Sequence, residues 1–187
     1  MEFDGQQSGE RVLTTITPHI SRFLFSGISL TIAFIAVVTI LFAIANFVPT
    51  AASAIKIAVI IIALIVILIS LWWMWKTQKT DKTYITDRRI IRFDVVSPFF
   101  TNKRALFWNE VLKTKAYAPN MVMRLLKVGT LQVEPVAAEQ ESIVITDVYF
   151  HEDLANYLDK ILFAFKNKPD DIATMKSFIA KSKGKRD

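Results

Sequence analysis

The sequence predicts an α+β protein with membrane spans: a two-helix transmembrane hairpin followed by an antiparallel β-barrel or sandwich capped by a C-terminal helix. Three observations predict it. Between Arg22 and Lys56 no residue carries a charge, and a second uncharged run extends from Ile57 to Trp75. From Tyr84 onward the apolar pattern breaks into short β-branched and aromatic runs. At His151 the period changes again, to that of an amphipathic helix.

The first span is Phe23 to Val48, which at about 1.5 Å per residue reaches roughly 39 Å, enough to cross a hydrocarbon core with tilt. Neither run has the polar stripe of a soluble helix. Ala52-Ser53-Ala54 resembles a cleavage site, but the apolar run before it is far longer than a signal peptide's, so cleavage is not expected. Cations set the orientation: Lys76, Lys79, Lys82, Arg88, Arg89 and Arg92 follow the second span, Arg11 and Arg22 precede the first, and the connecting region has only Lys56. Positive charge stays in the cytoplasm, so both termini are expected there and the turn outside. Trp72, Trp73 and Trp75 suit an interfacial aromatic belt, and Lys56 can snorkel to the outer interface. Ser26, Gly27, Ser29 and Ala33 are small enough for a close helix contact, a feature common in any span.

Composition narrows the classes further. The 187 residues are 52% hydrophobic and contain no cysteine, which excludes a disulfide scaffold, thiolate zinc sites, iron–sulfur clusters and a cysteine nucleophile. The net charge is +6, and since the three basic residues before Lys76 are balanced by three acidic ones, the surplus lies wholly after it. Expected strands are Tyr84–Thr86, Arg89–Val96, Lys103–Trp108, Val111–Tyr117, Gly129–Val133 and Ser142–Val148, a meander of six or seven antiparallel strands. In His151–Phe165 the residues Leu154, Tyr157, Leu158, Ile161, Leu162 and Phe165 recur at helical spacing, with Glu152 and Asp153 in the first turn where the dipole favours acid. Pro169-Asp170-Asp171 starts a second short helix carrying Ile172, Met175, Phe178 and Ile179. The divisions are a cytoplasmic segment 1–22, two transmembrane helices within 23–75 (about 23–48 and 54–75), a domain 76–165, and 166–187 as a short helix and basic tail.

Two motifs carry a resemblance. Tyr84-Ile85-Thr86-Asp87-Arg88-Arg89-Ile90-Ile91-Arg92 and Arg124-Leu125-Leu126-Lys127-Val128-Gly129-Thr130-Leu131, in that order behind two spans, resemble the bacterial PH-domain membrane proteins of the YdbS/YdbT-like type. The first is similar to a "y-x-l-T-x-R-R-i" strand pair and the second to "r-l-l-G-v-G-t-l". Lys127 stands where the second motif has its first glycine, and Asp94-Val95 where a turn glycine often follows the first. The resemblance covers about Tyr84 to Phe165. It implies a PH-like barrel capped by the helix His151–Phe165, at the bacterial inner membrane, and no settled activity.

Catalytic signals are few. His19 and His151, the two histidines, neighbour neither a nucleophile nor a metal-ligand spacing, and read as capping or exposed residues. There is no H-E-x-x-H, G-x-S-x-G or phosphate-cradling glycine loop. Glu139 and Glu141 read as turn acids. Arg88-Arg89 has two readings: one arginine paired with Asp87 or Asp94 and the other solvated, or both joining Lys76, Lys79 and Lys82 in a basic collar at anionic headgroups. Lys103 and Arg104 extend that collar. Pro98-Phe99-Phe100 forms a hairpin tip that either dips into the interface or folds under the sheet. Leu106-Phe107-Trp108 reads as core, and Met121, Met123, Leu125 and Leu126 as a short packed turn. No strand interleaves basic and aromatic residues as a stacking platform, which argues against nucleic acid.

The expected function is a non-catalytic, membrane-anchored PH-like binding or scaffold module at the cytoplasmic face of the inner membrane, with no cofactor and no metal. Its expected partners are the bilayer, through non-specific contact with anionic headgroups, and an unidentified protein or a second copy. The alternative is a regulatory subunit of a larger transport, secretion or envelope-stress complex; the missing site argues against a membrane enzyme. A soluble piece cut before Lys79 is expected to fold alone.

Overall fold

In the computed structural model, which describes residues 2–47, 50–97 and 99–179, the first strand forms before the first apolar run rather than after the second. Val12-Leu13-Thr14-Thr15-Ile16 is rich in β-branched residues and forms β1 (Val12–Ile16), burying Leu13 and Ile16. The chain then makes two long helices, α1 (Ser21–Ala45) and α2 (Ala52–Thr80), and returns as β2 (Lys82–Thr86). β1 pairs with β2, antiparallel, with Ile16 opposite Thr83. Segment 1–22 is therefore not separate from the domain. It supplies an edge strand, and the helices interrupt the connection between two neighbouring strands. The described chain divides accordingly into a helical unit, residues 20–78, and a second unit made of residues 2–19 with 79–179.

Within the helical unit, α1 has 25 residues and α2 has 29, both long and apolar enough to cross a membrane. α2 runs five residues beyond Trp75, because Lys76-Thr77-Gln78-Lys79-Thr80 contains no helix breaker. Lys76 and Lys79 thus lie on the helix. Gly27 of α1 faces Met74 of α2: a Cβ on Gly27 would lie 3.5 Å from the Met74 methyl. Gly27 is one of the four small residues of the expected helix contact. The connecting residues Val48 and Pro49 lie outside the described residues.

The second unit continues β2 with β3 (Arg89–Ser97) and β4 (Phe100–Phe107), a 3-10 turn at Trp108–Glu110, β5 (Val111–Tyr117), the short helix α3 (Met121–Leu125), β6 (Val128–Pro135) and β7 (Ile143–Tyr149). These form two antiparallel sheets, β1-β2-β3-β4 and β5-β6-β7. The described strands close no barrel; the architecture is the sandwich alternative. Between the sheets lies one core of Ile85, Ile90, Leu106, Trp108, Val111, Leu131, Val133, Ile143, Ile145 and Val148. α4 (His151–Asn167) packs the predicted stripe Leu154, Leu158, Ile161 and Leu162 into it. α5 (Pro169–Thr174) is shorter than expected: the backbone turns extended at Met175, so Ile172 is buried, Met175 and Phe178 pack beside the core, and Ile179 faces outward. The basic tail from Ala180 on lies outside the described residues.

Residues 2–10 cover the other face of the first sheet. Phe3 packs against Tyr84 with the rings tilted and their centroids 4.8 Å apart, Tyr84 meets Phe93 edge-on at 5.7 Å, and Ile91 completes this smaller cluster. The sheet is thus buried on both sides, which explains why Tyr84-Ile85 and Ile90-Ile91 read as continuous apolar pairs rather than alternating ones. A piece starting at Lys79 would lack both β1 and this cover, so the domain's true boundary takes in residues 2–19.

Candidate membrane-facing site

Register defines two ends of the first sheet. Ile16 pairs with Thr83, Lys82 with Phe93, and Phe93 with Lys103, so the chain leaves β1 and enters β2 at one end. At the opposite end lie the turn Thr86–Arg89 and Phe107, which pairs with Arg89. At about 3.3 Å per residue, the two ends of β2 are about 13 Å apart.

The first motif is built into the far end. Thr86 Oγ1 accepts hydrogen bonds from the N–H groups of Arg88 and Arg89, at 3.2 and 3.0 Å, closing the turn. The Thr86 carbonyl accepts from the buried Trp108 Nε1–H at 2.9 Å. Arg89 is only 8% exposed and makes a bidentate pair with Glu10, its Nε and Nη2 donating at 2.9 Å to the two carboxylate oxygens, while Nη2 also donates to the Gly5 carbonyl at 2.8 Å. Burial alone raises the Glu10 pKa; the bonds from Arg89, the Gln7 N–H and Thr86, with the charge of Arg89, outweigh it and hold it down to about 2. The paired arginine is therefore Arg89, and its partner is Glu10 of the N-terminal segment rather than Asp87 or Asp94. Arg88 is exposed and donates to Gln7 Oε1 at 3.2 Å. Neither lies at the end of the sheet where the chain leaves β1 and enters β2.

At the exit end the structure gathers Lys82 and Lys103, with Lys79 three residues before Lys82; Lys76 belongs to the helical unit. Lys103 Nζ donates to the Asp4 carbonyl at 2.6 Å and lies 5.5 Å from the Phe93 ring centroid. Arg104 is half-buried and pairs with Glu141 at 3.0 Å. Arg92 points inward and is neutralised by Asp94 at 3.1 Å and Asp81 at 3.8 Å. Trp72 and Trp75 are exposed on α2 and Trp73 is half-buried; Lys76 Nζ sits 5.2 Å over the Trp72 ring.

Other expected residues fall elsewhere. Leu106 and Trp108 are core, but Phe107 between them faces out beneath Arg89, at 5.6 Å. Of the expected hairpin tip, Pro98 lies outside the described residues, while Phe99 and Phe100 are exposed rather than folded under the sheet. His19 is stacked on Tyr149 at 5.2 Å, and its backbone N–H donates to the Asp147 carbonyl at 2.7 Å. His151 is buried against Gly129, where an added Cβ would meet its ring at 2.5 Å. The turn containing α3 is not packed: Met121 is 78% and Leu125 75% exposed, with Val122 and Leu126 also exposed. Lys127 has φ 57°, the left-handed conformation in which a glycine carries no Cβ penalty. Asp94-Val95 continues β3 without a turn, which comes only after Ser97. Sequence reasoning missed Glu10, one of three acids in a segment with no pattern of its own, and Asp81, which follows α2 directly.

No protein-family model and no curated protein matches the chain. Among solved structures it is similar to a DUF1696 family protein with a pleckstrin-homology domain from Shewanella loihica PV-4, at 15% identity over 46% of this chain and 69% of that one, with a TM-score of 0.33.

Proposed function

We propose that this chain is a non-catalytic PH-like module of the bacterial PH-domain membrane type, held at the cytoplasmic face of the inner membrane by a hairpin inserted into one of its loops. The observation that carries the reading is the pairing of β1 with β2 across the helices. Two strands hydrogen-bonded to one another lie on one side of a bilayer, so the intervening apolar segment crosses an even number of times. Two helices of sufficient length satisfy that. The PH-like assignment is supported by four strands facing three with a C-terminal helix over the core, and by the two motifs.

The exit end then faces anionic headgroups through Lys79, Lys82 and Lys103, each cation contributing about 1 kcal/mol near the surface. Contact of this kind is electrostatic and non-specific. The test is flotation, on vesicles of graded anionic lipid content, of a protein in which a short Gly-Ser linker replaces residues 20–78. Binding should weaken as salt shortens the Debye length, fall with Lys82→Ala and Lys103→Ala, and ignore Arg88→Ala. Salt-insensitive flotation, or none on strongly anionic vesicles, would sink the lipid reading. A second reading, a regulatory subunit bound to a protein partner, is favoured by the exposed apolar turn Met121, Val122, Leu125 and Leu126. Co-purification in mild detergent that is lost in Met121→Ser/Leu125→Ser distinguishes it.

A further inference from the structure

We propose that the turn joining β3 to β4 inserts its apolar tip into the headgroup–acyl boundary of the bilayer, an inference that rests on the membrane-anchored reading above. Lys82, the first residue of β2, pairs with Phe93, yet β3 continues to Ser97 and pairs onward with β4 through Val95–Thr101 and Ser97–Phe100. At about 3.3 Å per residue the turn projects about 13 Å past the point where the chain enters β2. It does so at the end of the sheet that carries both chain exits, and no other described strand of that sheet reaches as far.

The tip is apolar where solvent exposure would favour polar residues. Val96 is 61%, Phe99 82% and Phe100 71% exposed. Their backbone is nonetheless held: the Ser97 hydroxyl accepts from the Phe99 N–H at 3.4 Å and from the Phe100 N–H at 3.2 Å, so the turn is folded and its side chains are presented rather than buried. Behind it stand Lys103 and Lys82, cations at the height of headgroups when the rings lie deeper. An apolar tip backed by lysines is the composition of segments that sit about 5–10 Å into a bilayer boundary. The other exposed apolar turn, at α3, leads into Val128 of β6, which pairs with Tyr149, the residue that His19 stacks on just past β1, so a second apolar turn lies toward this same end. The occupant is therefore lipid, with burial against a protein or a second copy as the contrary outcome.

The chain has no cysteine, so one introduced thiol is a unique label site. The full chain would be reconstituted into vesicles of phosphatidylcholine with phosphatidylglycerol carrying spin-labelled lipids, shallow or deep, and an environment-sensitive dye placed at Phe100→Cys. Val96→Cys serves as a second variant that keeps both phenylalanines. Leu64→Cys, in the middle of α2, and Arg88→Cys, at the far turn, are references. The expected result is strong deep quenching at 64, shallow quenching at 100 and 96 several-fold above that at 88, and little at 88. Quenching at 64 with none above the level of 88 at either tip position overturns the insertion while the anchored reading stands. Absence of quenching at 64 overturns the anchored reading and the insertion with it.

Discussion

Glu10 and Arg89 join the segment before the helices to the strand pair after them, and the pair's energetics can be measured directly. Glu10→Ala leaves a buried guanidinium without its counter-charge and should cost about 3–5 kcal/mol in denaturant unfolding. The pH dependence has a definite sign. The folded carboxyl is held at about 2 against an ordinary 4.5, so its contribution is complete above about pH 4.5 and is lost as pH falls toward 2. At about 1.36 kcal/mol for each pH unit separating the folded from the ordinary value, that contribution is about 3 kcal/mol, and in Glu10→Gln this part of the acid limb should flatten. Two residues of the second motif should move stability in opposite directions. Lys127 is held left-handed, so Lys127→Gly should gain about 0.5–1 kcal/mol. Gly129→Ala drives a methyl into the His151 ring and should lose about 1–3 kcal/mol in the same unfolding measurement.

Among the elements, β1 decides whether the domain exists as a unit. Its loss removes Leu13 and Ile16 from the core and leaves one edge of β2 unpaired. A protein starting at Lys79 should therefore lack cooperative thermal unfolding, whereas one that retains residues 2–19 and bridges them to residue 79 by a short linker should show it. That linker is geometrically easy because Ile16 and Thr83 are neighbours. At α4, Leu158→Ala should cost about 2–5 kcal/mol, since Leu158 is fully buried in the shared core. α4 was legible because six apolar residues, Leu154, Tyr157, Leu158, Ile161, Leu162 and Phe165, recur at helical spacing, and the strands because β-branched runs alternate with turn residues. β1 was not, because five residues of moderate hydropathy next to a long apolar run carry little signal of their own, and their partner strand lies beyond both helices. The motif Thr86–Arg89 was legible as a pattern and misleading as a site: its threonine closes a turn, and its second arginine pairs with an acid that no local reading connects to it. The exposed α3 turn failed for the opposite reason, since helical spacing of Met121 and Leu125 looks the same whether the face is packed or presented.

Taken as a whole molecule, the chain is a sandwich interrupted by a hairpin, and the interruption does more to constrain its relation to a membrane than the cations do. Positive flanks favour one orientation over the other; strand pairing requires both flanks to share a side whichever orientation is taken. Both bear on the proposed topology, in which the two termini share the cytoplasmic side. The measurement that tests it most directly is a set of reporters active only in the cytoplasm, paired with ones active only outside, fused after Asp187, before Glu2 and within the turn between Pro49 and Ser53. The account predicts cytoplasmic activity at both termini and external activity in the turn. Opposite compartments for the two termini would contradict it, because β1 and β2 could then never have paired.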